Sequence, residues 1–433
     1  MDKTLRYDAE SIQVLSPRES VRQNLGMYIG NSDSSGLHQL FTEIVANSID
    51  EAVAGYGNFI IVSINTKTNA ITIRDEGRGL PFGRKADGTD AIIDAVCSLH
   101  GGGKFEGATG YKSSLGLHGL GLKVTHYLSS YFEVCSCRDG KVCRISFDED
   151  DKMSGPFVVD EVTKINKHGT QVTFIPDSRI FGNNKWNLEI IKDRLQTYAL
   201  LNNNIRFDLI VDEKRVQSYC YSDGIKDLFN IKAEGKTLVV KPTYHRIKVS
   251  NENGDEAEFE FAIGYTDDGG EREYCYANGG ETPNGGSYLT GFKSGYTSLV
   301  NKAAKAAGIE KSFNGELIRR GLLLIMIMRA DFRLSFAEQT KLTLNSPEAR
   351  GLASKAISSL KFDSATLKAL LKRIENEQKV EEAAQRKREA QEKITHGGSK
   401  LNALKDLPEK LADATDFTDA EIFFCEGEQI ALI

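Results

Sequence analysis

Between Gly36 and Gly55 the apolar residues Leu37, Leu40, Phe41, Ile44 and Val45 recur every three or four positions. That is the period of one helix face, and it predicts an amphipathic helix over residues 37–54. From Phe59 to Ile64 and from Ala70 to Arg74 the pattern becomes alternation, with Asn65-Thr66-Lys67-Thr68-Asn69 between the two runs. This predicts a β-hairpin. A glycine-dense stretch follows from Gly77 to Gly121, and then 131–147 and 170–175 read as further strands. The first part of the chain is therefore expected to be α/β, with helices on one face of a mixed sheet.

A second, α+β unit is expected from near Cys220, with strands over 238–249, 256–265 and 322–329 and a helix over 293–307. Residues 367–393 contain neither Gly nor Pro and alternate acidic with basic residues, as in Lys379-Val380-Glu381-Glu382 and Arg386-Lys387-Arg388-Glu389. Such lacing predicts a long helix whose charges mostly face solvent. His396-Gly397-Gly398-Ser399 ends it, and no internal repeat is visible.

The chain has 433 residues with 55 Lys and Arg against 61 Asp and Glu, a net charge of −6. At roughly 100–200 residues per domain this allows two or three domains. The longest apolar run, Leu322 to Met328, is far short of the roughly 18–20 residues of a membrane-spanning helix. The start, Met1-Asp2-Lys3-Thr4, lacks the apolar core of a signal peptide, so neither secretion nor membrane insertion is expected. Seven scattered cysteines with no C-x-x-C pair point to a reducing compartment without a zinc site. The mild acidity argues against a chain that coats nucleic acid by bulk charge, while leaving room for a local basic surface.

Three features carry candidate chemistry. In the first predicted helix, Glu43 and Asn47 stand four apart and Asp50 three further on, so they share a face. A carboxylate can take a proton from water, and an amide oxygen one turn away can ligate a hard cation; amphipathic helices also carry such pairs without function. Asp75-Glu76-Gly77-Arg78-Gly79 ends a predicted strand and can receive a base amino group, although a plain turn explains the same residues. Gly101-Gly102-Gly103-Lys104 and Gly116-Leu117-His118-Gly119-Leu120-Gly121 expose backbone N–H groups able to hold phosphate, with Lys104 or Lys112 adding charge. Neither cluster fits a Walker A loop or a Rossmann fingerprint, and ligand-free glycine loops are common.

Taken in order, these elements resemble the GHKL ATPases, and within them the ATPase subunit of type IIA DNA topoisomerases. Tyr7-Asp8-Ala9-Glu10-Ser11-Ile12 resembles that family's N-terminal arm, Gly26-Met27-Tyr28-Ile29-Gly30 its GMYIG signature, and Gln339-Thr340-Lys341 its QTK loop. Pro408-Glu409-Lys410-Leu411-Ala412-Asp413 is similar to the stretch leading into its Toprim domain. The resemblance implies a Bergerat-fold α/β sandwich followed by a transducer domain of ribosomal-protein-S5-like α+β fold with a long C-terminal helix. It divides the chain into an ATPase domain with a dimerisation arm (1–219), a transducer domain (220–395), and a linker with an incomplete Toprim-like start (396–433).

Residue by residue, the resemblance implies the following roles. Glu43 is the general base, Asn47 holds Mg²⁺, and Asp75 accepts the adenine amino group, with Gly79 and Thr170 lining that pocket. Lys104, Gly116, Leu117, His118, Gly119, Leu120 and Gly121 cradle phosphates, and Asp50, Tyr111 and Tyr7 complete the nucleotide site, Tyr7 on an arm that crosses to a second copy of the chain. Lys341, with Gln339 beside it, reaches from the second domain to the γ-phosphate; without nucleotide it is expected to stand away from the pocket. Arg78, Pro81 and Arg138 match positions bordering the site of aminocoumarin-type inhibitors.

The implied cofactors are ATP and Mg²⁺. The implied partners are duplex DNA, a second copy on ATP binding, an A-type cleavage subunit and a separate Toprim-bearing chain, in bacterial cytoplasm or in host cytoplasm if phage-encoded. The sequence departs from the family at Asn24-Leu25, where Arg-Pro is usual, at Tyr288, where His is usual, and after Glu426-Gly427-Glu428, where the Toprim motif breaks off. The last departure suggests a truncated piece or a split subunit. The alternative reading is a MutL-like or chaperone-like nucleotide-switched clamp without topoisomerase activity; no His-bearing dimerisation helix precedes the site, which disfavours a histidine kinase.

Overall fold

The structure is a computed structural model that describes residues 15–98, 120–160, 168–338 and 341–396. Met1–Leu371 form one compact unit and Lys372–Ile433 a second, described only by the later part of the last helix. In chain order the first elements are α1 (Pro17–Gln23), α2 (Leu25–Tyr28), α3 (Ser34–Val53), β1 (Phe59–Asn65), β2 (Ala70–Asp75), α4 (Ala91–Cys97), α5 (Gly121–Tyr127), β3 (Ser129–Arg138), β4 (Lys141–Phe147), β5 (Met153–Asp160), β6 (Gly169–Pro176), α6 (Ser178–Phe181), α7 (Leu188–Leu201), β7 (Arg206–Val211) and β8 (Lys214–Tyr219). After them come α8 (Gly224–Ala233), β9 (Leu238–Ser250), β10 (Glu256–Thr266), β11 (Arg272–Ala277), β12 (Gly280–Glu281), α9 (Ser287–Ala306), α10 (Gly315–Arg319), β13 (Leu322–Ala330), α11 (Pro347–Ser358) and α12 (Ser364–His396).

Strands β1 to β8 form one sheet in the order β5-β4-β3-β6-β2-β1-β7-β8. The predicted hairpin is its centre: β1 pairs β2 antiparallel from Ile60 against Asp75 to Asn65 against Ala70, and β1 pairs β7 in parallel. Alternation buries Ile60, Val62 and Ile64 on one strand and Ile71 and Ile73 on the next, the face that α3 covers with Leu37, Leu40, Phe41, Ile44 and Val45. Helix α3 starts where Asp33 Oδ1 accepts the Ser35 and Gly36 N–H groups, as an N-cap carboxylate does. The apolar stretch over 131–147 is broken by a turn at Asp139 and Gly140, both at positive φ, into the paired strands β3 and β4.

The second sheet runs β12-β11-β13-β10-β9. Its centre, β13, contains the Leu322–Met328 run, too short for a membrane span, and that run is apolar because both faces of the strand are covered. Leu323, Ile325 and Ile327 pack with Leu228 and Phe229 of α8 and with Leu200 and Leu201 of α7. The opposite face carries the Phe261, Phe292 and Tyr296 rings in sequence. No helix of the described residues is long and apolar enough to cross a membrane.

Trp186, the one tryptophan of the chain, donates its indole N–H to Asn69 O at 2.9 Å and meets Phe174 edge-on at 5.9 Å between centroids. Phe174 is wholly buried in the first core. Phe174→Ala is expected to lower unfolding free energy by about 3–5 kcal/mol, read as an earlier denaturant transition in Trp186 fluorescence; an unchanged midpoint would contradict this packing.

Candidate functional site

The site grows from one face of α3 and the chain that follows β2. Glu43 is largely buried, and its Oε1 accepts the Gln39 side-chain N–H at 3.0 Å, one helical turn back. Gly121, the first residue of α5, lies so close that a Cβ there would stand 2.3 Å from Glu43 Oε2. Only a residue without a side chain lets the two helices approach this closely. Asn47, half-buried, and Asp50, buried, follow on the same helix. Leu120, the next candidate, sits at the N-cap of α5.

The structure places Lys341 beside this pocket, with its Nζ 4.0 Å from Glu43 Oε1. The physical reason lies in how its loop is mounted. Leu344 N donates to Gly285 O at 2.9 Å and Ser287 N donates to Leu344 O at 2.9 Å, which ties the segment to the start of α9, while Phe336 bridges Leu344 within it. At its tip Lys341 itself takes φ of +60°, an uncommon conformation for a residue with a side chain, and its N–H donates to Glu338 O. Lys341 therefore presents an ammonium to a carboxylate on another element. A cavity of about 400 Å³ lies against the same loop, lined by Arg333, Phe336, Glu338 and Lys341 among others.

Asp75 ends β2 as a buried carboxyl. Its Oδ2 accepts the Ser48 hydroxyl at 2.8 Å, and its Oδ1 accepts the Gly77 N–H at 2.9 Å and the Thr170 N–H at 3.1 Å. Burial pushes its pKa above the usual carboxylate range; the three donors pull it back in part, and nearby Glu51 adds to the rise. A carboxylate has about four lone-pair sites, so room remains for one further donor.

Beside it, Arg78 grips Glu51 through two side-chain bonds of 3.0 and 2.9 Å, and its guanidinium lies 4.2 Å from the Tyr56 ring centroid. Gly79 has φ of +78°, and a Cβ on it would meet Cys137 O at 2.5 Å, which holds this turn against β3. Pro81 is exposed on the same turn, and Arg138, at the end of β3, bonds Asp139 at 3.3 Å. Sequence reasoning passed over Ser48 and Glu51, which hold Asp75 and Arg78; their place on α3 beside Asn47 was the signal available. Tyr7, Lys104, Tyr111, Gly116, Leu117, His118, Gly119 and Gln339 lie outside the described residues.

Comparison with known proteins gives the same picture from outside. A family model described as DNA gyrase B matches residues 224–390, and one described as histidine kinase-, DNA gyrase B-, and HSP90-like ATPase matches residues 32–180. The B subunit of DNA topoisomerase 4 from Staphylococcus aureus is 36% identical over 398 residues, 89% of this chain and 59% of that protein. The chain thus spans less than two thirds of the length of the curated relatives it matches. The 43K ATPase domain of Thermus thermophilus gyrase B, solved in complex with an aminocoumarin, has 29% identity and a TM-score of 0.70 over 87% of this chain and 98% of that one. The topoisomerase IV ATP-binding domain of Francisella tularensis, at 21% identity, shares the fold with a TM-score of 0.66 over 84% and 97% of the two chains.

The Asp75 environment predicts a pH effect. A carboxyl whose folded pKa is raised contributes its full stability below its unfolded value and loses it as pH climbs through the folded value. Asp75→Asn keeps the acceptor for Gly77 and Thr170 and removes the charge. The variant should therefore gain stability on the wild type as pH rises above the ordinary carboxylate range of about 4 in urea denaturation, and a gap that does not change with pH would refute the upward shift.

Proposed function

Because the chain belongs to the family of the DNA gyrase and topoisomerase IV B-type subunits, covering their ATPase and transducer region, we propose that it binds and hydrolyses ATP as the nucleotide-operated clamp of a type IIA DNA topoisomerase. The observation that supports this reading is the approach of Lys341 to Glu43, a cation from the segment after β13 beside a carboxylate of α3.

The residues suit the ligands. Asp75 keeps acceptor capacity for an adenine amino group, and its carboxyl is held in place by Ser48, Gly77 and Thr170. Among the described residues no group of three His, Cys, Asp or Glu is placed to hold a metal. Mg²⁺ keeps its waters and takes one or two protein oxygens with substrate phosphates, and Asn47 would supply the amide oxygen. Bound Mg²⁺ would neutralise phosphate charge.

The chain's own groups do the rest. Glu43, fixed by Gln39 and by contact with Gly121, takes the proton of the attacking water. Lys341 offers its charge to the terminal phosphate, where positioning and charge stabilisation, rather than covalent chemistry, lower the barrier. Gln339 and the glycine-rich segments around Lys104 and Gly116–Leu120 would complete the phosphate cradle. A ligand that binds both sheets favours the arrangement in which they meet. With Tyr7 on an exchanged arm, the same ligand favours a pair of chains able to close around a DNA duplex, acting with an A-type cleavage subunit and a Toprim-bearing chain. The match over 224–390 to DNA gyrase B, outside the ATPase region shared with chaperones and kinases, supports this above the MutL-like or chaperone-like clamp.

Glu43→Ala should leave binding of a non-hydrolysable ATP analogue largely intact and abolish turnover; lost binding would contradict the role of base. Lys341→Ala should lower kcat by about 10²- to 10³-fold, the scale of one missing transition-state charge contact, and wild-type turnover would refute it. Reconstitution with cleavage and Toprim chains should give ATP-dependent changes in plasmid topology on a gel. Turnover indifferent to DNA with no change in topology would favour the clamp without topoisomerase activity.

A further inference from the structure

We propose that Arg329 is a positioning residue for the Lys341–Glu43 pair, acting through α7 as a spacer of fixed length; this rests on the reading of those two residues as the hydrolytic pair. Arg329 is the penultimate residue of β13, and the loop that carries Lys341 leaves from the end of that strand. The segment is tied at its start, where Asp331 N donates to Glu256 O of β10, and near its far end, where Leu344 pairs with Gly285 and Ser287 at the start of α9. Its two described ends are thus fixed to elements of the second sheet's layer. Where Lys341 sits relative to Glu43 is then decided by how that sheet is joined to the helices of the first.

The junction is α7. Toward α3, Arg194 of α7 donates to His38 O at 2.8 Å and to Thr42 Oγ1 at 2.5 Å, the latter one residue before Glu43. The backbone N–H of Asn187, the N-cap of α7, donates to His38 Nε2 at 3.0 Å. Toward β13, Arg329 donates through Nη2 to Leu201 O at 2.7 Å, a carbonyl in the last turn of α7 that has no partner further along the helix. The other arm of the same guanidinium bonds Glu260, a carboxylate of β10 that is only 8% exposed. Arg329 shares its sheet face with Ile327 and Ile325, which pack against Leu200 and Leu201.

A cation at a helix C-terminus is favourable because the carbonyl dipoles end there. From Arg194 to Leu201 is about two helical turns, about 10 Å of rigid backbone. One helix thus carries a guanidinium at its middle to the segment bearing the base and receives a guanidinium at its C-terminal end from the strand bearing the lysine.

A purely structural Arg329 would affect stability alone; a positioning Arg329 changes turnover through Lys341. The test is a mutant cycle on the full chain with Arg329→Met, Lys341→Ala and the double variant, reading kcat, KM for ATP, affinity for a non-hydrolysable analogue and the thermal midpoint. Arg329→Met should lower kcat by about 10- to 100-fold, the scale of a small misplacement of a reacting group, with analogue affinity within about twofold of wild type. In the Lys341→Ala background it should have no further effect on kcat. Arg329→Lys should recover part of the loss, and Arg329→Met paired with Glu260→Gln, which leaves no buried carboxylate unpaired, should behave as Arg329→Met does. Unchanged kcat in Arg329→Met, or the same fold-loss in both backgrounds, would overturn the proposal. Wild-type turnover in Lys341→Ala would instead remove the reading of Lys341 on which it rests.

Discussion

A carboxylate on α3 and an ammonium delivered from the second sheet stand 4.0 Å apart, and the surrounding architecture reads as the means of bringing them there. At that separation the pair makes no direct hydrogen bond to offset the desolvation of two largely buried charges, so other structure must hold the partners. Glu43 is held by Gln39 and by the bare Cα of Gly121. Lys341 is held by a loop whose backbone bonds return to residues 285 and 287. Each partner is fixed within its own layer, and geometry rather than mutual attraction decides whether they meet.

The cores supply that rigidity. Strand β13 is covered on both faces, and α3 buries one full stripe, so neither element can shift without opening well-packed apolar surface. Polar groups close to the site are likewise paired, as the double bond of Arg78 to Glu51 and the three donors on Asp75 illustrate. A buried network in which every member has a partner fixes side-chain positions, whereas a half-satisfied one would be a source of movement.

Much of this was legible in the chain, and the limits have physical causes. Helix α3 and the β1–β2 hairpin carry full periodicity because each has one buried and one open face, and their bounds fall within a few residues of those read from sequence. Strands β7 and β8 and helix α7 were not read. Strand β7 buries a charged residue, Asp208, which Arg206, Arg215 and Ser218 neutralise, so its pattern looks polar where it is in fact enclosed. Motif resemblance picked out Glu43 and Asp75, while Ser48 and Glu51 act through contacts with residues 27 positions away, which no local spacing reveals.

The raised pKa of Asp75 links these layers to ligand binding. A carboxyl buried at the end of β2 costs the fold stability at neutral pH, because burial outweighs the donors it has. A ligand amino group arriving at the remaining lone pair adds a donor to the charged form in a region of low dielectric, where such a bond is strongest. The same burial that penalises the empty pocket therefore sharpens its preference for a ligand that can donate there over one that presents an acceptor. In the proposed role the ionised carboxyl would favour an amino-bearing base, since a carbonyl in the same position would leave two acceptors facing each other; the protonated form, which burial favours, could instead donate to that carbonyl. Selectivity for the base would thus belong to the charged carboxyl held by Ser48, Gly77 and Thr170 and would weaken as pH falls, independently of the Lys341 contact.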